Sequence, residues 1–191
     1  MRGCGCLLVL GLVAIAAVLV VAVAMRPAAQ LAPVRVSHAQ AVSGQAKLTD
    51  VSSAVTRAHQ TGKPVAFNET FTDGELSSLV NEHLALTGAP FDAVVLHSNP
   101  AGYIEGQASA HLAGQSLPLY LRARVDTSNG QPSLRLIQSK LGMVGVPGSI
   151  SDQIDAALKQ GVNLGTGAPV TNLVVKIGDG NLTLSGIANP A

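Results

Sequence analysis

An uncharged apolar run at the amino terminus constrains this chain more than any other feature. Residues 3–25 carry no charged side chain. As a helix that rises 1.5 Å per residue, this run spans about 34 Å, enough to cross a hydrocarbon core of roughly 30 Å. We therefore expect an uncleaved single-pass anchor. A cleaved signal peptide is the alternative, because Ala22-Val23-Ala24 fits the small-x-small pattern before a signal-peptidase site.

Cysteine placement indicates the side of the membrane on which the rest of the chain lies. Cys4 and Cys6 precede the core of the apolar run, and no cysteine follows it. A reduced cytoplasmic amino terminus and an exported carboxyl-terminal domain fit this distribution. A small domain that simply lacks cysteine fits it almost as well. Arg2 and the amino terminus on one side, and Arg26 and Arg35 on the other, give no positive-inside preference. The expected localisation is the cell membrane, with the carboxyl-terminal domain extracytoplasmic.

Charge and composition divide the chain into three parts. We expect an anchor over residues 1–26, a stalk over residues 27–46 and one extracytoplasmic α+β domain over residues 47–191. The stalk is predicted to have little structure, because it contains Pro27 and Pro33 and no sustained period. After residue 26, ten Lys and Arg oppose eleven Asp and Glu. This balance lacks the basic excess of a nucleic-acid-binding protein, so no nucleic-acid partner is expected.

The exported domain opens with two predicted helices. Apolar residues at helical spacing predict a first helix of 10 to 12 residues, capped by Thr49 or Asp50 and ending before Gly62. Thr72 and Glu75 stand in capping-box register, which predicts that the second helix begins at Asp73. Its apolar stripe, expected to be buried, comprises Leu76, Leu79, Val80 and Leu84.

Beyond Pro90 the hydrophobic period becomes two, which predicts antiparallel strands. The four consecutive strands are expected at residues 91–97, 103–112, 117–126 and 133–141. In the third of these, the residues with odd numbers from Leu117 to Val125 form the dry face, and those with even numbers from Pro118 to Asp126 form the wet face. A third helix is predicted after Ser149 or Ser151, and Asp179-Gly180 predicts a closing hairpin.

Three blocks give the chain a family resemblance. They read TFTDGELSSLVN, GQPSLRLIQSKLGMVGVPGSISDQIDAAL and IGDGNLTLSG. In this order behind one apolar helix, they resemble the YpmS-like family of membrane-anchored extracytoplasmic bacterial proteins of unknown function. The chain is more distantly similar to lipid-binding domains of the tubular lipid-binding (TULIP) superfamily. Over residues 47–187 the resemblance implies a curved antiparallel sheet wrapped over a long helix, with an apolar groove for acyl chains. The overall expectation is an α+β fold in which a curved antiparallel sheet, made of the meander and the carboxyl-terminal hairpin, packs on two or three helices.

The predicted apolar stripes supply the lining of such a groove. Its candidate residues are Leu76, Leu79, Val80, Leu84, Leu117, Leu119, Leu121, Leu134, Leu136, Ile154 and Leu158. The alternative is that the same stripes meet and fill the core. The expected function is therefore non-catalytic binding of a lipid or another apolar envelope ligand. The alternative is a structural or adaptor protein with a filled core, whose partners are other envelope proteins.

The sequence contains no enzymatic motif that would favour catalysis over binding. The five histidines show no metal-ligand spacing, and neither a nucleophile elbow nor a P-loop occurs. We expect no enzymatic activity, no cofactor, no catalytic residues and no metal site. One pair is conceivable, since His97 and His111 fall on strands that are predicted to be adjacent, although a structural role explains them too.

Three arginines suggest a contact with the membrane surface. Arg122 and Arg124 share the predicted wet face of one strand, and Arg135 has the matching parity on its hairpin partner. Together they form a candidate patch for anionic head groups. A solvated sheet face is the alternative interpretation.

Overall fold

The computed structural model describes residues 31–87, 91–112, 115–126, 133–142, 144–146 and 170–190. These residues form an α+β fold with antiparallel sheets and two helices. The helices are α1 (His38–Thr61) and α2 (Asp73–Thr87). The strands are β1 (Val65–Thr72), β2 (Phe91–Asn99), β3 (Tyr103–Leu112), β4 (Gln115–Asp126), β5 (Ser133–Leu141), β6 (Val144–Gly145), β7 (Val170–Ile177) and β8 (Asn181–Ala188).

Two predicted segments fall outside this description. The apolar run over residues 3–25 and the third helix after Ser149 or Ser151 both lie outside the described residues. In the part of the chain that is described, neither helix combines the length and the apolar character needed to cross a bilayer.

Helix α1 begins earlier than the sequence predicts. Its N-cap is Ser37, whose side chain accepts a hydrogen bond from the backbone N–H of Gln40, and the helix runs for 24 residues to Thr61. The predicted start at Thr49 or Asp50 is therefore wrong, and residues 38–46, which we expected to lack structure, are helical. The predicted end is confirmed, because Gly62 closes the helix in the left-handed conformation.

Helix α1 packs against a three-stranded sheet in which β8 lies between β1 and β7. The register of β1 with β8 pairs Phe67 with Gly186 and Phe71 with Leu182. A Cβ on Gly186 would lie 2.8 Å from the Phe67 ring, so the glycine leaves room for that ring. The buried members of the resulting core are Val51, Ala54, Phe67, Phe71, Leu173 and Leu184. The predicted closing hairpin at Asp179-Gly180 is confirmed as the β7–β8 turn. The prediction that this hairpin and the meander form one sheet is wrong, because the hairpin pairs with β1 in a sheet of its own.

Helix α2 starts at Asp73 through the predicted capping box. The Thr72 N–H donates to Oε2 of Glu75 at 2.8 Å, and the Glu75 N–H donates to the Thr72 hydroxyl at 3.2 Å. Glu75 also joins the two helices, because it accepts hydrogen bonds from the Ser43 hydroxyl and from Nζ of Lys47. Leu79 completes the contact by packing where Gly44 of α1 has no side chain.

The second sheet has five strands in the order β2-β3-β4-β5-β6. The predicted meander is confirmed for β2 to β5, each pair being antiparallel. Strand β2 continues two residues beyond the predicted end, to Asn99. The register with β5 shifts between Arg122 and Ala123 of β4. Arg122 pairs with Gln138 and Ala123 with Leu136, so Ile137 of β5 is the extra residue of a bulge.

Side chains of α2 satisfy the free edge of β2. The Asn81 amide donates to the Val94 carbonyl at 2.6 Å and accepts from the Val94 N–H at 3.0 Å. The Ser77 hydroxyl accepts from the Leu96 N–H at 2.8 Å. Helical residues four apart advance about 6.0 Å and alternate strand residues about 6.6 Å. The two spacings therefore match along this edge.

The same edge joins the two sheets. Oδ1 of Asp73 accepts from the Ser98 N–H at 2.9 Å. The β7–β8 turn contributes as well, since the Gly180 N–H donates to the Ser98 carbonyl and the Gly180 carbonyl accepts from the Asp73 N–H, both at 3.1 Å. Ser98 thus meets α2 and the three-stranded sheet at one point.

The expected burial of α2 is only partly right. The predicted apolar stripe of Leu76, Leu79, Val80 and Leu84 is half-buried. The deepest residues are polar, with Ser77 and Ser78 fully buried and Asp73 and Glu75 nearly so. The stripe prediction failed here because Asp73 and Ser77 bond the backbone of β2, which requires hydrogen-bonding side chains. Ser78 accepts from the Ser37 N–H, and Glu75 bonds α1.

The Glu75 contact makes the free energy of unfolding depend on pH in the acidic range. Burial raises the pKa of Glu75, but hydrogen bonds from Lys47, Ser43 and Thr72 outweigh it, and the pKa falls from 4.5 to about 2. Because the folded pKa lies below the unfolded value, the stabilisation is present above pH 4.5 and is lost as the pH falls toward 2.

Urea denaturation of the parent and of Glu75→Gln tests this pH dependence. We expect the difference between their free energies of unfolding to shrink by about 3 kcal/mol over that window.

Ser43→Ala removes one donor and should give an intermediate pH dependence. The assignment to Glu75 would be contradicted if the parent and Glu75→Gln lost stability in parallel on acidification.

Candidate functional site

One face of the five-stranded sheet is largely apolar, with Ser98 and Ser139 among its polar members. The register pairs Ala108 with Leu119 and Gly106 with Leu121 across β3 and β4, and Leu96 with Gly106 across β2 and β3. Small residues thus run along β3, between larger side chains on β2 and β4. We call this side, with Leu96, Ile104, Gly106, Ala108, Ala110, Leu117, Leu119, Leu121 and Ala123, the apolar face.

Five of the predicted groove residues share this face by register. They are Leu117, Leu119, Leu121, Leu134 and Leu136. Leu119 is buried, whereas the other four are half-buried and keep part of their surface accessible. Leu96 leans over β3 near Gly106, where an added Cβ would lie 3.3 Å from Cδ2 of Leu96. We call this row of small side chains on β3, flanked by larger ones on β2 and β4, the furrow. Ala110, Leu119 and Ala123 of the same face are buried.

The remaining predicted groove residues do not join these five as expected. Leu76 packs against the core between α1 and the three-stranded sheet, and Leu79 packs on α1 at Gly44. The prediction that Leu76 and Leu79 line one groove together with the leucines of β4 is therefore wrong. Val80 and Leu84 are half-buried on α2. Ile154 and Leu158 lie outside the described residues.

The opposite face of the same sheet is polar and contains a buried charge network. Glu105 of β3 lies across from Arg122 of β4, and Nη2 of Arg122 donates to Oε1 of Glu105 at 2.9 Å. The Tyr120 hydroxyl donates a short hydrogen bond to the same oxygen, and the Asn99 amide donates to Oε2. Burial pushes the pKa of Glu105 upward, but these donors outweigh it and the net pKa is lowered.

This network changes the interpretation of the wet face of β4. Tyr120 is 5% exposed, so the prediction that it faces solvent is wrong. Its pKa is raised by burial and by the neighbouring Glu105 carboxylate. The guanidinium of Arg122 stacks on the Tyr103 ring at 4.5 Å and is tied to Glu105. The guanidinium of Arg122 is therefore engaged in contacts within the sheet, and it does not form the unpaired head-group contact that the sequence predicts.

The other two arginines of the predicted patch are placed as expected. Arg124 and Arg135 are directly opposite each other on β4 and β5, and both are exposed. The matching parity inferred from the hairpin is confirmed.

The histidine pair considered from the sequence is wrong. His97 pairs in register with Glu105, whereas His111 pairs with Ser116 at the other end of β3. Six residues along a strand separate the two positions by about 20 Å. Instead, Nδ1 of His97 lies 2.7 Å from Oδ2 of Asp73 at the junction of the sheets. Across the described ranges, no group of three His, Cys, Asp or Glu side chains could hold a metal ion.

Sequence reasoning missed the polar residues that organise these faces. Asp73, Ser77 and Asn81 are spaced four apart on α2, which is a periodic polar stripe that could have indicated an edge-strand contact. Glu105 and Tyr120 gave no comparable signal. Both occupy the polar positions of alternating strands, and such positions are normally expected to face solvent.

Comparisons of the chain with protein-family models, with curated proteins and with solved structures found no match.

The Glu105 network predicts a specific effect of removing one hydroxyl. Tyr120→Phe deletes a buried hydrogen bond to a carboxylate, which should lower the unfolding free energy at neutral pH by about 1.5 to 3 kcal/mol in urea denaturation. Tyr103→Phe is the matched control, because it keeps the ring that stacks on Arg122 and should have little effect. Equal losses in the two variants would contradict the role assigned to the Tyr120 hydroxyl.

Proposed function

We propose that this protein is a membrane-anchored extracytoplasmic binding protein for a lipid or another apolar envelope ligand, and that it acts without covalent chemistry. The observation that carries this proposal is the furrow on the apolar face. Small residues line its floor along β3, and leucines of β4 with Leu96 of β2 stand on either side.

The width of the furrow suits an alkyl chain. Strands β2 and β4 are two strand spacings apart, about 9.6 Å between backbones. With Gly106 and Ala108 between them, a single acyl chain could lie along β3 against the leucines. The half-buried state of Leu117 and Leu121 leaves apolar surface for such a contact.

The anchor and the family resemblance support the same proposal. The apolar run over residues 3–25 would hold the domain beside a lipid source. The YpmS-like resemblance implies a curved sheet with a groove for acyl chains. In this proposal the curvature is concave toward the apolar face, and the predicted third helix would contribute Ile154 and Leu158 to the lining.

Mass spectrometry of bound lipids tests the proposal. The exported fragment should start at Leu31, since a start at Lys47 would cut α1 and remove its Ser37 cap. We expect organic extracts of fragment 31–191 to contain an enriched lipid. Ala108→Trp should abolish this enrichment by filling the furrow, because a large side chain there occupies the volume of an acyl chain.

The matched control is Ser109→Trp, which places the same side chain on the opposite face of β3. Circular dichroism establishes that both variants remain folded. If neither the parent nor the control carries lipid, or if folded Ala108→Trp retains it, ligand binding is wrong and a structural or adaptor role explains the fold better.

A further inference from the structure

The segment before α1 lies against the rest of the domain. The Leu31 N–H donates to Oε1 of Gln107 at 3.5 Å, and the Ser37 N–H donates to the Ser78 hydroxyl at 3.1 Å. Between them, the Arg35 carbonyl passes close to Gly74, where an added Cβ would lie 3.1 Å from its oxygen. The described chain therefore starts beside β3 of the five-stranded sheet.

Gln107 identifies which side of that sheet the segment touches. It pairs with Tyr120, next to the Glu105–Arg122 pair, so it belongs to the polar face. The start of the described chain is thus held on the polar face, on the opposite side of the sheet from the furrow.

The chain outside the structure is short at this point. Only residues 26–30 separate the end of the apolar run from Leu31. The six Cα-to-Cα steps from Met25 to Leu31 reach at most about 22 Å when fully extended. If the run crosses a bilayer, Oε1 of Gln107, which accepts from the Leu31 N–H, lies within about 25 Å of the end of the run, so the tether joins the domain on its polar face.

Positive charge is concentrated farther along this face. Arg124 and Arg135 are exposed, and Lys140 pairs with Tyr120 on the same side. We call these three residues the basic face. Glu105 is already paired with Arg122, and Asp126 follows at the end of β4 by register. Around β4 and β5, the three residues of the basic face therefore oppose one carboxylate, Asp126, whereas Asp92 lies by register at the β2 edge of the same face.

The arginine pair is also unfavourable in isolation. Like charges directly opposite each other on antiparallel strands destabilise a sheet. Arg124 and Arg135 occupy such positions and are both exposed. An anion between them would relieve their repulsion, and arginine side chains suit phosphate groups in particular.

We propose that the basic face docks on the anionic head groups of the same bilayer that holds the apolar run of the chain. This inference rests on the membrane anchor of the proposed function and adds an orientation to it. The polar face lies on the bilayer, and the apolar face turns away from it. A lipid ligand would then be held on the side of the sheet that faces the rest of the envelope.

Head-group quenching on the full-length chain tests the docking. The chain carries Cys4→Ser, Cys6→Ser and Ile137→Cys, which puts a fluorophore on exposed Ile137 of β5, at the register shift two residues from Arg135. It is reconstituted in phosphatidylcholine vesicles containing a head-group spin label, with or without phosphatidylglycerol. We expect strong quenching only with phosphatidylglycerol. Quenching should weaken in about 1 M salt, where the screening length falls to about 3 Å.

Two double variants separate a local contact from total charge. Arg124→Gln with Arg135→Gln should lower the ratio of docked to free domain about 30-fold, since each basic residue near an anionic surface contributes about fivefold. Arg57→Gln with Lys63→Gln removes the same charge from exposed positions at the end of α1 and should leave docking unchanged. Neutralising the opposed arginines should not lower the midpoint of thermal unfolding.

Three results would overturn the docking. These are equal quenching in vesicles without anionic lipid, equal loss in the two double variants, and quenching that survives in Arg124→Gln with Arg135→Gln. A chain that fails to float with vesicles would refute the anchor and the docking together. Absence of lipid from fragment 31–191 would refute the ligand proposal alone.

Discussion

Strand β2 is hydrogen-bonded along both edges, by the backbone of β3 on one side and by side chains of α2 on the other. The outward N–H groups of Val94, Leu96 and Ser98 each meet an oxygen from α2. An exposed strand edge invites pairing with other chains, and covering it with a helix prevents this. The cover here works because three polar residues on α2 repeat every four positions, nearly in step with alternate residues of the strand.

The rest of the fold depends on this contact, because it is where the two sheets are linked. Asp73 begins α2, receives the Ser98 N–H and contacts the β7–β8 turn through Gly180. At the other side of α2, Glu75 holds α1 through Lys47. Hydrogen bonds to charged groups contribute about 1.5 to 3 kcal/mol each, so these two carboxylates rank among the stronger stabilising contacts. The helix thereby fixes the orientation of the furrow and of the basic face.

The sequence predicts the fold best where local chemistry decides it. The capping box placed the start of α2 at Asp73, and alternation placed β2 to β5 in order, because each signal acts within a few residues. The start of α1 was missed because residues 38–46 contain too few apolar residues to show a helical period. Burial of Ser77 and Tyr120 was also missed, since their partners Leu96 and Glu105 are distant in sequence. For the candidate site, parity predicted the facing arginines, but only tertiary contacts separate Leu76 and Leu79 from the apolar face.

Hydrogen exchange of the backbone amides on β2 tests the central claim most directly. The claim is that α2 side chains pair with the outer edge of this strand. The account predicts that the amides of Val94, Leu96 and Ser98 exchange as slowly as the inward amides bonded to β3, and that Asn81→Leu speeds exchange at Val94 first. Rapid exchange at all three outward amides in the parent chain would contradict the account, because it would mean that this edge is open to water.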